Sequence, residues 1–166
     1  EGADVVVGVG GGKTLAAAKA TALARRTPVA IVPSIASTDA PCSAEIVIDT
    51  PDGEVKRHAF LPRNPDLVLV DTQVIAEAPV RTLVAGMGDA LATRFEAESC
   101  RLASVPNATG HRGAFTALAL ARLCYDTLLA EGPLARRACA DDAVTEGLER
   151  IVEANTLLSG IGFESG

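Results

Sequence analysis

Residues 4 to 26 read DVVVGVGGGKTLAAAKATALARR, and the three adjacent glycines between a valine run and an alanine-rich stretch constrain the fold more than any other feature of the chain. The stretch Asp4 to Val9 is short, largely apolar and β-branched, which predicts a strand buried on both faces. Thr14 to Arg26 is predicted helical and closes on two arginines, whose charge suits the negative end of a helix. After the Thr27-Pro28 break, Val29 to Val32 repeats the buried-strand pattern. Strand, helix and strand in this order imply a right-handed parallel crossover.

Glycines in series permit positive φ and remove every Cβ that would keep a ligand at a distance, so successive backbone N–H groups can converge. A helix that starts at once adds its free N–H groups and positive dipole end, an arrangement that suits phosphate. Lys13 and Thr14 can add a charge and a hydroxyl. Two familiar phosphate patterns do not apply. The pattern G-x-x-x-x-G-K-[ST] needs glycine where Val7 stands, and G-x-G-x-x-G starting at Gly8 needs glycine where Lys13 stands. A ligand-free connecting turn is the alternative, although triple glycine is entropically costly for mere connection.

The 166 residues suffice for one sizeable domain or two small ones. An apolar fraction of 48% with only 3% aromatics calls for a core of Ala, Val, Leu and Ile, which favours the α/β class. The net charge of −6, with no basic stripe, gives binding to nucleic acid no electrostatic support. No apolar run is long enough to cross a membrane, so a soluble, cytoplasmic protein is expected. Cys42, Cys100, Cys124 and Cys139 lack C-x-x-C spacing and sit among apolar or alanine-rich neighbours, which suits reduced thiols.

Further along, EIVIDTPDGEVKRHAF, from Glu45 to Phe60, predicts a hairpin turning at Thr50-Pro51-Asp52-Gly53. Pro65 to Thr72 reads as one more buried strand. The composition shifts near Pro79, beyond which Gly86 to Ala103, Gly113 to Ala130 and Asp141 to Ser159 carry helical spacing. The loop PSIASTDAPCSA, from Pro33 to Ala44, follows the second strand, and the C-terminal ends of parallel strands form ligand crevices. It therefore lies beside the glycine loop and offers Ser34, Ser37, Thr38, Asp39 and Ser43, either to a ligand or simply to its own turns. Asp89 reads by spacing as a helix N-cap, and Glu96 and Glu98 as a solvated face. His58 and His111 have no partner at ligand spacing and read as structural or surface residues.

Taken together, GVGGGKTLAAAKA, PSIASTDAPCSA, NPDLVLVDT, GMGDALATRFEA and EANTLLSGIGFESG resemble, over the whole chain, the glycerol dehydrogenase branch of the metal-dependent (iron-type) alcohol dehydrogenase family. The resemblance implies an NAD-binding α/β domain of which residues 1–78 are the second half, followed in 79–166 by the first part of a helical, metal-binding domain. It implies that Gly10, Gly11, Gly12, Lys13 and Thr14 lie against the NAD pyrophosphate and that Ser34 sits near the adenine-side contacts. Ser43, Glu45, Val47 and Asp49 would line the nicotinamide face, Asp39 would approach the substrate hydroxyls, and Asp89 would be a ligand to a divalent metal, usually zinc in this branch. Glycerol as the small polyol substrate and a homo-oligomeric assembly are implied in the same way. A phosphorylated or different polyol, or a non-catalytic nucleotide-binding or oligomerisation module, are the competing readings.

Two departures from the family pattern matter. Where the family commonly carries Asp three residues after the lysine of the glycine loop, this chain has Ala16. The resemblance also implies an internal fragment, lacking an earlier mononucleotide-binding half and the later segment that carries metal-binding histidines. Such a chain is expected to be inactive alone, with an unpaired sheet edge and an uncovered apolar face.

Overall fold

A computed structural model of the chain describes residues 2–50, 52–107 and 109–165. Strands β1 (Val6–Gly10), β2 (Val29–Pro33) and β5 (Leu67–Val68) form a parallel sheet in the order β1-β2-β5, with α1 (Gly12–Arg25) as the crossover between the first two. The apolar stripe of α1, Leu15, Ala18 and Ala22, closes on Val29 and Ile31. Arg26 ends the helix in the left-handed conformation, and its N–H returns to the carbonyl of Leu23.

The expectation of double-sided burial fails for β1. Val7 and Val9 are 56% and 62% exposed, because α1 packs on the opposite face, where Gly8 lies against Ala18. The strand read over Pro65 to Thr72 also contracts to the two residues of β5, with Leu67 and Leu69 exposed. Asp71 stops it by accepting from the N–H groups of Gln73 and Val74, which starts α2 (Thr72–Ala76) at once.

Strands β3 (Glu45–Asp49) and β4 (Val55–Phe60) form the expected antiparallel hairpin, with an irregularity between Ile48 and Asp49. At its tip the N–H of Gly53 donates to Thr50 at 3.0 Å, and a φ of +87° suits the glycine. Pro51 of the expected turn lies outside the described residues.

From Thr72 onward every element is helical. Helix α3 (Val80–Ala103) starts six residues before the expected Gly86, with Pro79 at its N-cap. Asp89 therefore stands inside the helix, and its reading as an N-cap is overturned. Helix α4 (Phe115–Ala140) continues ten residues past Ala130, and Pro133 within it does not end it. The last predicted helix begins later than Asp141, because Asp142 takes a left-handed turn. Helix α5 (Glu146–Glu153) opens on Thr145, whose hydroxyl accepts from the N–H of Leu148. It runs through a wide turn, Ala154–Leu158, into α6 (Ser159–Gly162).

The helices share a second core that includes Leu83, Ala90, Cys124, Leu128, Leu148 and Ile151. Ala36, from the loop after β2, is fully buried in that core, which pins the loop to the helices. All four cysteines are free thiols, as expected from their neighbours.

Candidate functional site

Of the three adjacent glycines only Gly10 takes a left-handed backbone. Gly10 has a φ of +148°, where a side chain is strained, and a Cβ there would come within 3.2 Å of three side-chain atoms of Thr14. Gly11 occupies the N-cap of α1 with no side-chain cap, and Gly12 faces open space. The first turn of a 14-residue helix is thus left accessible, with its N–H groups and positive end toward the loop after β2. The two loops are tied together where the N–H of Ser34 donates to the carbonyl of Gly10 at 3.0 Å.

Beside this turn lies a cavity of about 250 Å³ formed by α1, the loop after β2, β3 and α3. Gly12, Lys13, Asp39, Ser43, Glu45, Val47, Asp49 and Asp89 line it, so eight of the twelve residues to which the resemblance assigns a role meet at one place, with Thr38 beside them. Gly10 at the end of β1, Gly11 after it, Thr14 in the first turn of α1 and Ser34 just after β2 do not stand in its wall. Lys13, 85% exposed in its side chain, reaches Asp49 at 4.0 Å across the mouth, a contact too solvated to hold anything rigidly. Ala16, the departure from the family pattern, contributes only a methyl to the wall. His58 pairs with Glu45 at 2.5 Å on the exposed hairpin, and the backbone of His111 bonds with Asn107.

The electrostatics of the cavity are dominated by crowded carboxylates. Burial, then the charges of Asp89 and Glu45, push Asp39 up to about 7, with Lys19 acting in the opposite sense. Partial desolvation also lifts Asp89 above the ordinary carboxylate value, although it opens to solvent at the rim, and the nearby backbone of Asp39 restrains the rise. Cys42 behind the turn is pushed up to about 11 by burial and by Asp39, which makes it an inert thiol.

Asp39, Glu45 and Asp89 repel one another across one partly desolvated cavity, and a hard divalent cation there would relieve that repulsion. Among the described residues no three His, Cys, Asp or Glu side chains form a complete metal-holding group. The arrangement therefore fits Asp89 as one ligand and offers no full set.

Sequence reasoning missed Lys19, which is fully buried and also lines the cavity. Its signal was its position: it follows Leu15 by four residues and precedes Ala22 by three, which puts a charge in the apolar stripe of α1. Also missed were Gly86 and Asn155, where the loop meets the helices. The amide of Asn155 donates to the carbonyls of Ala36 at 3.0 Å and Leu83 at 3.1 Å. A Cβ on Gly86 would fall 2.0 Å from that same Ala36 oxygen.

Comparison with known proteins adds to this geometry. The family model described as iron-containing alcohol dehydrogenase matches residues 1–72. Glycerol dehydrogenase from Thermotoga maritima is 68% identical over 166 residues, which are all of this chain and 46% of that protein. Glycerol dehydrogenase from Citrobacter freundii is 59% identical over 96% of this chain and 44% of its own length. The crystal structure of glycerol dehydrogenase from Schizosaccharomyces pombe superposes with a TM-score of 0.94 at 44% identity, over 98% of this chain and 41% of that one. The chain thus spans about half the length of the curated relatives it matches.

Proposed function

Because the chain belongs to the iron-containing alcohol dehydrogenase family, we propose that it carries the cofactor-facing and substrate-facing part of an NAD-dependent, metal-assisted glycerol dehydrogenase. The observation that carries this reading is the single cavity in which the start of α1 meets Asp39 and Asp89. Residues 1–78 serve the cofactor and residues 79–166 the metal side of the cleft.

In this reading the N–H groups at Gly10, Gly11 and Gly12 and the first turn of α1 bind the diphosphate, with Lys13 and Thr14 adding a charge and a hydroxyl. Ser34 stands on the adenine side of that contact. Ser43, Glu45, Val47 and Asp49 give the nicotinamide a face, and the apolar Val47 helps keep water from it. Asp39 accepts hydrogen bonds from the substrate hydroxyls and orients them. Asp89, in the wall shared with Asp39, would be a carboxylate ligand to the metal. When bound, a divalent cation supplies Lewis acidity that makes an alcohol acidic near neutral pH, and NAD supplies the hydride acceptor. Zinc is the metal proposed, a homo-oligomer the assembly and the cytoplasm the setting. Among the described residues no helix is long and apolar enough to cross a membrane.

Calorimetric titration with NAD tests the cofactor half: Gly10→Ala is expected to weaken binding at least tenfold, whereas Asp89→Asn leaves it within twofold. Glycerol-dependent NADH formation with added zinc, by the enzyme that completes the metal set, tests the chemical half and is expected to be lost in Asp89→Asn. Dinucleotide binding indifferent to Gly10 overturns the reading.

A further inference from the structure

Lys19 carries its charge to a place where an aliphatic side chain would fill the same volume. It is fully buried on α1, yet its ammonium makes no ion pair within 4.0 Å among the described residues. It donates instead to two backbone carbonyls, Ser43 at 2.6 Å and Glu45 at 3.0 Å. Burying an amine is unfavourable unless its hydrogen bonds are made, so these directional bonds are what the residue supplies.

The two carbonyls close the turn that Asp39 begins. The carbonyl of Asp39 accepts from the N–H groups of Cys42 at 3.0 Å and Ser43 at 3.1 Å, and Asp39 lines the same cavity as Asp89. The turn is braced from behind, where Asn64 donates to the carbonyl of Cys42 at 2.9 Å and Gly160 lies against Asp39 and Ser43. Among the described residues only Lys19 grips it from the cavity side with charge. We propose that Lys19 is a positioning residue: by holding the carbonyls of Ser43 and Glu45 it fixes the turn that sets Asp39 in the cavity beside Asp89. Its bearing on catalysis rests on the dehydrogenase reading, whereas the positioning itself does not.

Amide hydrogen exchange on the 166-residue chain tests this without nucleotide or metal, so its failure is separate from a failure of the proposed function. Lys19→Met keeps the length of the side chain and removes the donors. Exchange at Cys42 and Ser43 is expected to accelerate about tenfold or more relative to amides in the middle of α4. Leu15→Ala, a packing loss on the same helix face, is expected to accelerate both regions alike. Turn amides that keep their parental protection relative to α4 in Lys19→Met overturn the proposal. Should that variant not fold, NMR of the unaltered chain decides. A slowly exchanging Lys19 Nζ with a through-hydrogen-bond coupling to the Ser43 carbonyl supports the proposal, and a freely exchanging ammonium refutes it.

Discussion

Replacing Gly86 by alanine should unfold the junction between loop and helices, and the same change two residues away should do the opposite. In α3 both glycines forgo about 1 kcal/mol of helix propensity relative to alanine. At Gly88 nothing lies within 4 Å of an added Cβ, so Gly88→Ala is expected to stabilise by roughly 0.5–1 kcal/mol. At Gly86 the Cβ would sit 2.0 Å from the Ala36 oxygen and 2.5 Å from the Asn155 amide nitrogen. A relaxed carbon–oxygen contact is about 3.3 Å or more, so helix and loop must part by about 1.3 Å. Overpacking of this kind costs about 1–3 kcal/mol. Parting also strands the Asn155 amide and the carbonyls it serves, at about 1–3 kcal/mol more. After the propensity gain, a net loss of roughly 1–5 kcal/mol remains, or about 2–20 °C in Tm for a chain of this size. Urea unfolding followed by circular dichroism measures both variants against the parent. A Gly86→Ala protein within ~0.5 kcal/mol of the parent, or a Gly88→Ala protein destabilised as severely, refutes the close approach of α3 to Ala36.

Three further outcomes follow from the site. Asp39 is raised from 3.8 to about 7, so between those values the folded chain binds a proton that the unfolded chain releases, and stability falls as pH rises through this window. Asp39→Asn should accordingly melt higher than the parent at pH 8, with the difference shrinking toward pH 4; a constant difference across thermal melts at several pH values contradicts the assignment. Gly10→Ala, forced to a φ of +148°, should lower stability by about 1 kcal/mol or more, read by the same urea titration; a neutral effect means the loop relaxes without strain. A chain of these 166 residues supplied with zinc and NAD should oxidise no glycerol, because a catalytic zinc takes about three protein ligands and Asp89 supplies one. NADH formation by that chain alone would show that a sufficient set is already present.

Much of this was legible in the sequence because local rules and packing agreed. The glycines, the valine runs around them and the TPDG tip specify the crossover and the hairpin by φ, β-branching and turn chemistry, none of which needs a distant partner. The exposed faces of β1 and β5 were not legible in the strands themselves, since Val7, Val9, Leu67 and Leu69 read identically whether a layer covers them or not; only the resemblance implied an uncovered face. The early start of α3 was hidden by Gly86 and Gly88, which look like a boundary in one dimension and prove to be interior positions, Gly86 because a backbone carbonyl passes against it. Lys19 escaped notice because a lysine on a helix normally reaches water, and only the fold brings the Ser43 and Glu45 carbonyls over it.

The central claim, that the bare turn before α1 and Asp89 serve one ligand site, is tested most directly by amide chemical-shift mapping of the isotope-labelled chain with NAD, with and without zinc. The account predicts NAD-induced shifts at Gly10 to Thr14 and along Ser43 to Asp49, and weak, unsaturated zinc-induced shifts around Asp89, as a single carboxylate ligand allows, that vanish in Asp89→Asn while the glycine-loop shifts persist. Shifts that instead cluster at the cavity between the end of α3 and the start of α4, near Cys100 and Phe115, with Gly10 to Thr14 unmoved, would contradict it.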